Sequence, residues 1–372
     1  MFHSVYIDGF RCLENFTLSF IDPAGTPLKS ALFIGPNGSG KSNAFDALHF
    51  ICQIARGKTL LKNLIRESDF PHGETRQAMT FEVECIIDAE RYHYQLEIEQ
   101  PINFYQPRIR KESLNQNGKT LFVREKAQTI LQQKAEFTLD WHHAGLPLIF
   151  VRDENDPIAR FRRWLSRVVV ISPCPQRINP TSTGEDDTLA RDAENFLNWM
   201  RKLLSDAPSL YTSIERAIKQ VMPDLAVFGF QALGREEKAF FLEFRGEQGK
   251  TVRHDFCQLS DGERVLLLAA TVSSTLLADQ SLVCFWDEPD NYIASHELSH
   301  LITAWRRAAE NHAGQLVISS HNPRVVAEFS DHNTYVFTRS SHAHPTRVTR
   351  LSEMNYDSQT LVDAFERGEL FR

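Results

Sequence analysis

One stretch of twenty residues, "ALFIGPNGSGKSNAFDALHF" at 31–50, restricts the fold more than any other part of the chain. A short apolar run leads into a glycine-rich loop, Gly35–Ser42, which matches G-x-x-x-x-G-K-[ST] in full. Glycines let backbone N–H groups turn toward bound phosphates, and the start of a helix adds a positive dipole. The stretch predicts a buried strand, a phosphate-binding P-loop and a helix from residue 41 to about residue 56.

The P-loop predicts a defined set of nucleotide contacts. Lys41 is expected to reach the β- and γ-phosphates, and the Ser42 hydroxyl is expected to ligate Mg²⁺. The other predicted nucleotide contacts in this segment are Gly35, Asn37, Gly38, Ser39, Gly40 and Asn43. The alternative is an accidental glycine-rich turn, which the strand before the loop and the helix after it disfavour.

A second motif, "LVCFWDEPD", supplies the carboxylates that a nucleotide-hydrolysing P-loop protein needs. Asp287 follows an apolar strand and is expected to hold Mg²⁺ through water. Glu288, next to it, is expected to act as general base for the attacking water. The alternative is an ordinary strand that ends in an acidic turn.

Two further segments fit the same chemistry. "LSDGE" places Ser260 and Gly262 at the start of a helix, where a hydroxyl and N–H groups can meet a γ-phosphate. The alternative is a capping box formed by Ser260 and Glu263. "LVISSHNP" ends a buried strand on His321, which is placed to contact a γ-phosphate or the attacking water; the alternative is a structural histidine.

The order of these four motifs resembles the ABC-type ATPase heads, with LSDGE where those heads carry LSGGQ or LSGGE. The chain is most similar to the RecF/SMC/OLD-like branch, because "VYIDGFRCLENFTLSF" stands before "GPNGSGKS" as in that branch. The resemblance covers roughly residues 1–125 and 225–340. It implies an ATPase with ATP and Mg²⁺ as cofactors and with Glu288 and His321 as catalytic residues.

The resemblance also implies that two copies of the chain sandwich ATP. Ser260 and Gly262 would then act in trans, on ATP held by Lys41 of a second copy. The Q-loop glutamine of the family has two candidates, Gln77 and Gln176, and Gln176 is preferred because it follows a strand. Arg11 either lies close to the nucleotide phosphates or the P-loop, or is a surface charge, and this alternative stays open. Ala294 stands where transporter-type heads carry the D-loop aspartate, which is a departure from their pattern.

The predicted fold is an α/β P-loop NTPase head with a mixed central sheet, an antiparallel β lobe and a helical insertion. The lobe consists of the alternating segments "TFEVECIID", "RYHYQLEIE", "RIRKESLNQ" and "KTLFVRE". The predicted organisation is residues 1–150 as the first part of the head, 151–224 as the insertion and 225–372 as the second part. The insertion is expected to be helical from about residue 186 onward, with a break at Ala207–Pro208.

Composition excludes several classes of protein. The net charge of −7 gives no global signal for nucleic acid, so such a surface would be local, with "RIRK" (108–111) and "RFRRWLSR" (160–167) as the best stretches. The alternative for the second stretch is an amphipathic helix that buries its aromatic residues. Six scattered cysteines without a C-x-x-C pair suggest neither zinc nor disulfides. No apolar run is long enough for a membrane span, so a cytoplasmic protein without a membrane partner is expected.

Two functions are compatible with these features. The first is an ATP-dependent sensor or regulator that dimerises and works with a separate effector, a nuclease or toxin, in defence against phage or plasmids. The resemblance implies the defence role, because compact stand-alone ATPases of this kind are often defence components. The effector is expected on a separate chain, because only 51 residues follow His321 and they lack the carboxylate cluster of a nuclease domain. The alternative is a RecF-like recombination or repair ATPase that binds DNA directly. A purely structural ATP-bound subunit and a transporter ATPase fit less well.

Overall fold

The computed structural model describes residues 1–75, 77–102, 104–132, 134–151, 153–246, 250–278, 282–311, 314–358 and 360–371. Two compact units make up the chain. Unit 1 comprises Met1–Val168, Asp331–Ser358 and Arg367–Arg372, and unit 2 comprises Val169–Ser330 and Gln359–Glu366. The predicted boundaries at residues 150 and 224 stay a prediction.

Unit 1 contains an eight-stranded antiparallel sheet. In sheet order its strands are β2 (Phe16–Ser19), β1 (Phe2–Asp8), β4 (Met79–Ile87), β5 (Glu90–Glu99), β6 (Arg108–Gln116), β7 (Lys119–Glu125), β8 (Gln128–Leu131) and β9 (Ala135–Thr138). Buried and half-exposed residues alternate along β4, as expected for a strand with one face on the core. The four predicted lobe strands are β4 to β7, so the β lobe is confirmed.

Helix α2 (Pro157–Ser166) packs on this sheet through its aromatic residues. The ring of Phe161 is fully buried and lies 5.7 Å from the Tyr92 ring and 5.6 Å from the Tyr94 ring, centroid to centroid. Trp164 contacts Phe2 with ring centroids 5.0 Å apart. Because aromatic packing contributes to the core here, the amphipathic-helix alternative describes "RFRRWLSR" better than a stacking surface for bases does.

A buried ion pair ties the sheet to the chain that follows β9. The side chains of Glu112 and Arg124 are fully buried, with Nη1 and Oε2 3.6 Å apart. The Glu112 carboxylate accepts hydrogen bonds from the Tyr94 hydroxyl (2.9 Å) and from the N–H groups of Gly145 (2.6 Å) and Leu146 (2.8 Å). The Arg124 guanidinium donates to the carbonyl oxygens of Lys126, His143 and Asp140. Most donors and acceptors of the pair are therefore satisfied inside the protein, as a buried charge requires.

The rest of unit 1 forms the scaffold for the P-loop. Strand β3 (Ser30–Ile34) is buried along its whole length and pairs in parallel with β17 (Thr334–Thr338). Strand β17 pairs antiparallel with β18 (Arg347–Arg350). Helix α1 (Lys41–Ala55) follows the loop that leaves β3, so the predicted strand, loop and helix are confirmed.

Unit 2 contains a parallel sheet and an antiparallel one. Strands β10 (Val169–Ile171), β15 (Val283–Trp286) and β16 (Gln315–Ser319) pair in parallel, with Trp286 opposite both Ile171 and Ile318. Their carboxyl ends therefore lie at one edge, which is where ligands bind in sheets of this kind. The antiparallel sheet consists of β11 (Thr181–Ser182), β12 (Leu225–Ala232), β13 (Lys238–Arg245) and β14 (Thr251–Asp255).

The helices of unit 2 are α3 (Phe196–Asp206), α4 (Leu210–Val221), α5 (Asp261–Leu277), α6 (Ser295–Asn311), α7 (Pro323–Ala327) and α8 (Leu361–Glu366). The predicted break at Ala207–Pro208 separates α3 from α4. Within the described parts of the chain, none of the helices has both the length and the apolar character that crossing a membrane requires.

The predicted helical start near residue 186 is wrong, because helix begins only at Phe196. The side chain of Asn195 accepts a hydrogen bond from the Ala190 N–H (2.8 Å) and donates to the Asp186 carboxylate (2.7 Å). Ala193 adopts a φ of 62°, which no helix continues through. An asparagine side chain thus competes with helical hydrogen bonding and holds residues 186–195 as a loop.

Candidate functional site

Three glycines determine the backbone conformation of the P-loop in unit 1. Gly35, Gly38 and Gly40 have φ values of 154°, 79° and 103°. A Cβ atom on Gly35 would lie 2.3 Å from the carbonyl oxygen of Phe337, and one on Gly40 would lie 2.2 Å from Oγ1 of Thr346. Both positions therefore exclude every other residue, for reasons of space as well as of conformation.

The polar side chains of the loop fit a phosphate chain. The Lys41 ammonium is buried and donates to the carbonyl oxygens of Gly35 (2.7 Å) and of the residue after it (3.3 Å). Asn37 and Ser42 are exposed, which leaves the Ser42 hydroxyl accessible to a cation. The buried Ser39 hydroxyl finds no hydrogen-bond partner in the described part of the chain. Backbone N–H groups and an ammonium group are the donors that bind nucleotide phosphates, and a hydroxyl oxygen can ligate the accompanying Mg²⁺.

Arg11 lies at the first turns of the P-loop helix. Its guanidinium donates to Asn43 Oδ1 (3.1 Å), to Asp46 Oδ2 (2.6 Å) and to Asp69 Oδ1 (2.9 Å). Two carboxylates therefore neutralise it, and it is not an isolated surface charge. Of the two sequence alternatives, the structure supports a place beside the P-loop helix.

An acidic cluster stands at the carboxyl ends of β15 and β16 in unit 2. Asp287 is 5 % exposed, and its Oδ1 accepts a hydrogen bond of 2.6 Å from the Ser319 hydroxyl. The same hydroxyl accepts from the Glu288 N–H (2.9 Å), so one serine fixes both carboxylate residues. The Arg191 guanidinium lies 3.7 Å from Asp287 Oδ2. Asp287 is thus oriented from several sides, as a metal-binding carboxylate needs to be.

Glu288 and His321 lie side by side at the carboxyl ends of β15 and β16. Imidazole Nε2 of His321 lies 3.3 Å from Oε1 of Glu288, and the Asn291 side-chain amide donates to Oε2 at 3.0 Å. Glu288 has a φ of 50° and a ψ of 61°, in the left-handed region that few non-glycine residues adopt. A carboxylate held this way next to an imidazole can accept a proton and pass it on. Backbone strain of this kind concentrates at functional sites.

Asp290 is a further carboxylate of this edge that sequence reasoning missed. Burial raises the pKa of the Asp290 carboxyl above its ordinary range, while hydrogen bonds from Ser320 and from the His321 backbone act in the opposite direction. Asp290 stands two residues after Glu288, so a carboxyl group with a raised pKa adjoins the Glu288–His321 pair.

The LSDGE segment begins α5 as a capping box. The Ser260 hydroxyl accepts from the Glu263 N–H (3.3 Å), and the Ser260 N–H donates to Oε2 of Glu263 (2.7 Å). The capping alternative is therefore correct as a description of the local structure. Gly262 lies in the first turn, and the Gln176 side chain donates to the Asp261 carboxylate. The structure thus places Gln176 at this helix start, and its Q-loop role stays a prediction.

Ser319 and Arg191, which lie next to Asp287, were also not found from the sequence. Ser319 carries a weak signal, because it ends a buried strand two residues before His321. Arg191 carries none, since it stands in a loop far from Asp287 along the chain. Its position is set by the hydrogen bond of 2.7 Å from the Ser172 N–H to the Arg191 carbonyl.

A P-loop in unit 1 and an Asp-Glu pair with a histidine in unit 2, on mixed α/β sheets, define a P-loop protein of the ABC-type class, as the sequence predicts. Residues 30–327 match the family described as "AAA domain, putative AbiEii toxin, Type IV TA system". The chain belongs to this family. No curated protein matches it.

Solved structures of SMC heads share the fold. The SMC head bound to the C-winged helix domain of ScpA is 14 % identical, with a TM-score of 0.57 and coverage of 94 % of this chain and 96 % of that one. The Smc head of Pyrococcus furiosus with an extended coiled coil, bound to the C-terminal domain of ScpA, is 11 % identical, with a TM-score of 0.54 and coverage of 95 % and 97 %. The SMC head of Thermotoga maritima is 13 % identical, with a TM-score of 0.47 and coverage of 94 % and 98 %. At these identities the first two comparisons show the fold alone.

Proposed function

We propose that this protein binds and hydrolyses ATP with Mg²⁺. The observation that carries the proposal is the set of Asp287, Glu288 and His321 at the carboxyl ends of two neighbouring parallel strands, with Glu288 and His321 3.3 Å apart. A protein that bound ATP only to hold two subunits together would not need a carboxylate beside an imidazole, on a residue with a strained backbone.

Each residue has a distinct role in this proposal. Lys41 and the P-loop N–H groups bind the phosphates, and Ser42 and Asp287 hold Mg²⁺, Asp287 through water. The cation supplies neutralisation of phosphate charge. Glu288 accepts a proton from the attacking water and becomes a neutral carboxyl group. His321, whose Nε2 lies 3.3 Å from Glu288 Oε1, stabilises this carboxyl group. Ser319 fixes the orientation of both carboxylate residues through the hydrogen bonds described above.

We further propose that two copies of the chain sandwich ATP, with Ser260 and Gly262 acting in trans. The support comes from α5, in which residues 265–276 are buried, whereas Ser260, at the start of the helix, is exposed. The exposed start of a long helix presents N–H groups and a positive dipole to an anion. The capping box engages the Ser260 hydroxyl and the N–H groups of Ser260 and Glu263, whereas the N–H groups of Asp261 and Gly262 take no part in it.

The biological role that we propose is a sensor or regulator of a separate effector, a nuclease or toxin, in defence against phage or plasmids. The support is the description of the family, which refers to a type IV toxin–antitoxin system. Two of the SMC heads named above are bound to domains of another protein, ScpA. By analogy, we propose that this protein also binds a partner on a separate chain.

Mixing two inactive variants tests the sandwich. Lys41→Ala removes the phosphate-binding ammonium, and Ser260→Asn removes the hydroxyl but keeps a helix-capping side chain. Each variant alone should lack turnover. In an equimolar mixture, half of the dimers hold one intact composite site of two, so turnover should recover to about a quarter of the wild-type rate. A mixture as inactive as its components contradicts action in trans.

Glu288→Gln tests hydrolysis and the partner together. The variant should bind ATP, lack turnover and elute as a dimer with ATP and Mg²⁺, whereas the exposed control Glu353→Gln should behave as wild type. Tagged Glu288→Gln, co-expressed with its genomic neighbours, should retain a stoichiometric effector. Retention of DNA at about 0.15 M salt without a protein partner would support direct DNA work instead.

A further inference from the structure

Thr346 connects the C-terminal part of unit 1 to the P-loop. It directly precedes β18 and is 3 % exposed. Its hydroxyl donates to the carbonyl oxygen of Ser39 at 2.8 Å, inside the protein. The two residues are 307 positions apart in the sequence, so this contact exists only in the folded chain.

The hydroxyl also fits the space beside the next glycine. A Cβ atom on Gly40 would lie 2.2 Å from Thr346 Oγ1, so the threonine occupies the place that a side chain on Gly40 would take. Gly40 has a φ of 103° and is the residue before α1. Thr346 and Gly40 are therefore complementary in shape as well as joined through the Ser39 carbonyl.

A buried network around Cys12 holds Thr346 in place. The Thr346 N–H donates to the Cys12 carbonyl oxygen (2.8 Å), and the Thr346 hydroxyl lies 3.1 Å from Cys12 Sγ. The Asn43 side-chain amide donates to the same sulfur at 2.9 Å. The turn after β1, the start of α1 and the residue before β18 thus meet behind the loop.

The planarity of the peptide bond gives this contact a functional consequence. In the trans peptide unit between Ser39 and Gly40, the C=O and the N–H point in opposite directions. Fixing the Ser39 carbonyl toward Thr346 therefore fixes the Gly40 N–H on the side away from Thr346. P-loops bind phosphate through such N–H groups.

We propose that Thr346 is a positioning residue of the phosphate-binding loop, which holds the Ser39 carbonyl so that the Gly40 N–H is presented to a nucleotide phosphate. The inference rests on the proposed function, because it presupposes that the loop binds a nucleotide. It assigns to the C-terminal part of the chain a role in binding that neither the motif nor the family description contains.

Nucleotide affinity of three variants tests the proposal. Thr346→Val keeps the shape and removes the donor, Thr346→Ser keeps the donor, and Thr275→Val is the matched control. Thr275 is also buried, and its hydroxyl also donates to a backbone carbonyl (2.8 Å), but in α5. Binding of a fluorescent ATP analogue should weaken about tenfold in Thr346→Val and stay within about twofold of wild type in Thr346→Ser and Thr275→Val.

The outcomes separate the inference from the proposed function. Absence of binding in the wild-type protein overturns both. Wild-type affinity in Thr346→Val overturns the inference alone. Equal loss in Thr346→Val and Thr346→Ser also overturns it, since the hydroxyl that Thr346→Ser keeps would then not preserve binding. If Thr346→Val is not recovered folded, Thr346→Ala carries the same test, because it also removes the donor and introduces no bulk.

Discussion

The left-handed backbone conformation of Glu288 leads to a prediction about stability that depends on backbone strain alone. At a φ of 50° and a ψ of 61° an L-residue brings Cβ close to the following carbonyl oxygen, which costs roughly 1–2 kcal/mol, whereas glycine avoids this contact. Glu288→Gly and Glu288→Ala both delete the carboxylate and lose its contacts with Asn291 and His321. The difference between the two variants therefore isolates the backbone.

We expect Glu288→Gly to be more stable than Glu288→Ala by about 1 kcal/mol, after the larger chain entropy of glycine is taken into account. Urea unfolding without nucleotide measures this difference. Trp286 and Trp305 report on unit 2, because they are fully buried and their rings stack 4.9 Å apart. With a slope of about 2–3 kcal/mol per M, the midpoints should differ by about 0.4 M.

The matched control lies in an ordinary helix. Glu215 stands inside α4, so Glu215→Gly should be less stable than Glu215→Ala by roughly 0.5–1 kcal/mol, the opposite sign. Both Glu288 variants should lack turnover, although one of them is the more stable. If Glu288→Ala is at least as stable as Glu288→Gly, the backbone is not strained and the reasoning is refuted.

Three further predictions concern buried groups. Ser319→Ala should lower the free energy of unfolding by about 2 kcal/mol and raise the Mg²⁺ concentration needed for turnover, because it removes the hydrogen bond to Asp287. The control is Ser274→Ala, which should be nearly neutral, because the buried Ser274 hydroxyl has no hydrogen-bond partner among the described residues. Arg124→Met should cost about 3–5 kcal/mol in urea unfolding, because it leaves the buried Glu112 carboxylate without its cation. A thiol reagent at pH 8 should label Cys257, which is exposed, well before the buried cysteines. Burial raises the pKa of Cys52 to about 12 and also raises the pKa of Cys85 and Cys284, so these three thiols stay protonated at pH 8.

Each of these has a result that contradicts it. Equal losses in Ser319→Ala and Ser274→Ala would show that the Asp287 hydrogen bond contributes nothing specific. A loss below about 1 kcal/mol in Arg124→Met would mean that the carboxylate is not stabilised by the ion pair. Rapid labelling of Cys284 in the native protein would show that β15 is accessible to the reagent and would contradict the prediction.

Much of the fold could be predicted because its signals are local. The lobe strands β4 to β7 were found from the alternation of apolar and polar residues, which reflects one face on the core. Strands β8 and β9 were missed, since their residues are mostly exposed and carry no such alternation. The late start of α3 was missed for a different reason, because the hydrogen bonds of the Asn195 side chain outweigh the helical spacing of the segment.

The sequence by itself determined the parts of the site that are contiguous. The P-loop, the Asp287–Glu288 pair and the capping box of Ser260 each need only a few neighbouring residues, and their backbone geometry follows from glycine, proline and capping chemistry. The order of these motifs along the chain was enough to indicate the class of protein. These features were visible because local sequence and local structure agree.

Only the tertiary structure decided which distant groups meet. The parallel register of β15 and β16 brings Glu288 to 3.3 Å from His321 and places Ser319 under both carboxylate residues. The fold likewise brings Thr346 to the Ser39 carbonyl across 307 positions. A hydroxyl can orient a peptide or a carboxylate only within hydrogen-bond distance, and distances between remote segments are set by strand pairing and core packing, which no short motif encodes.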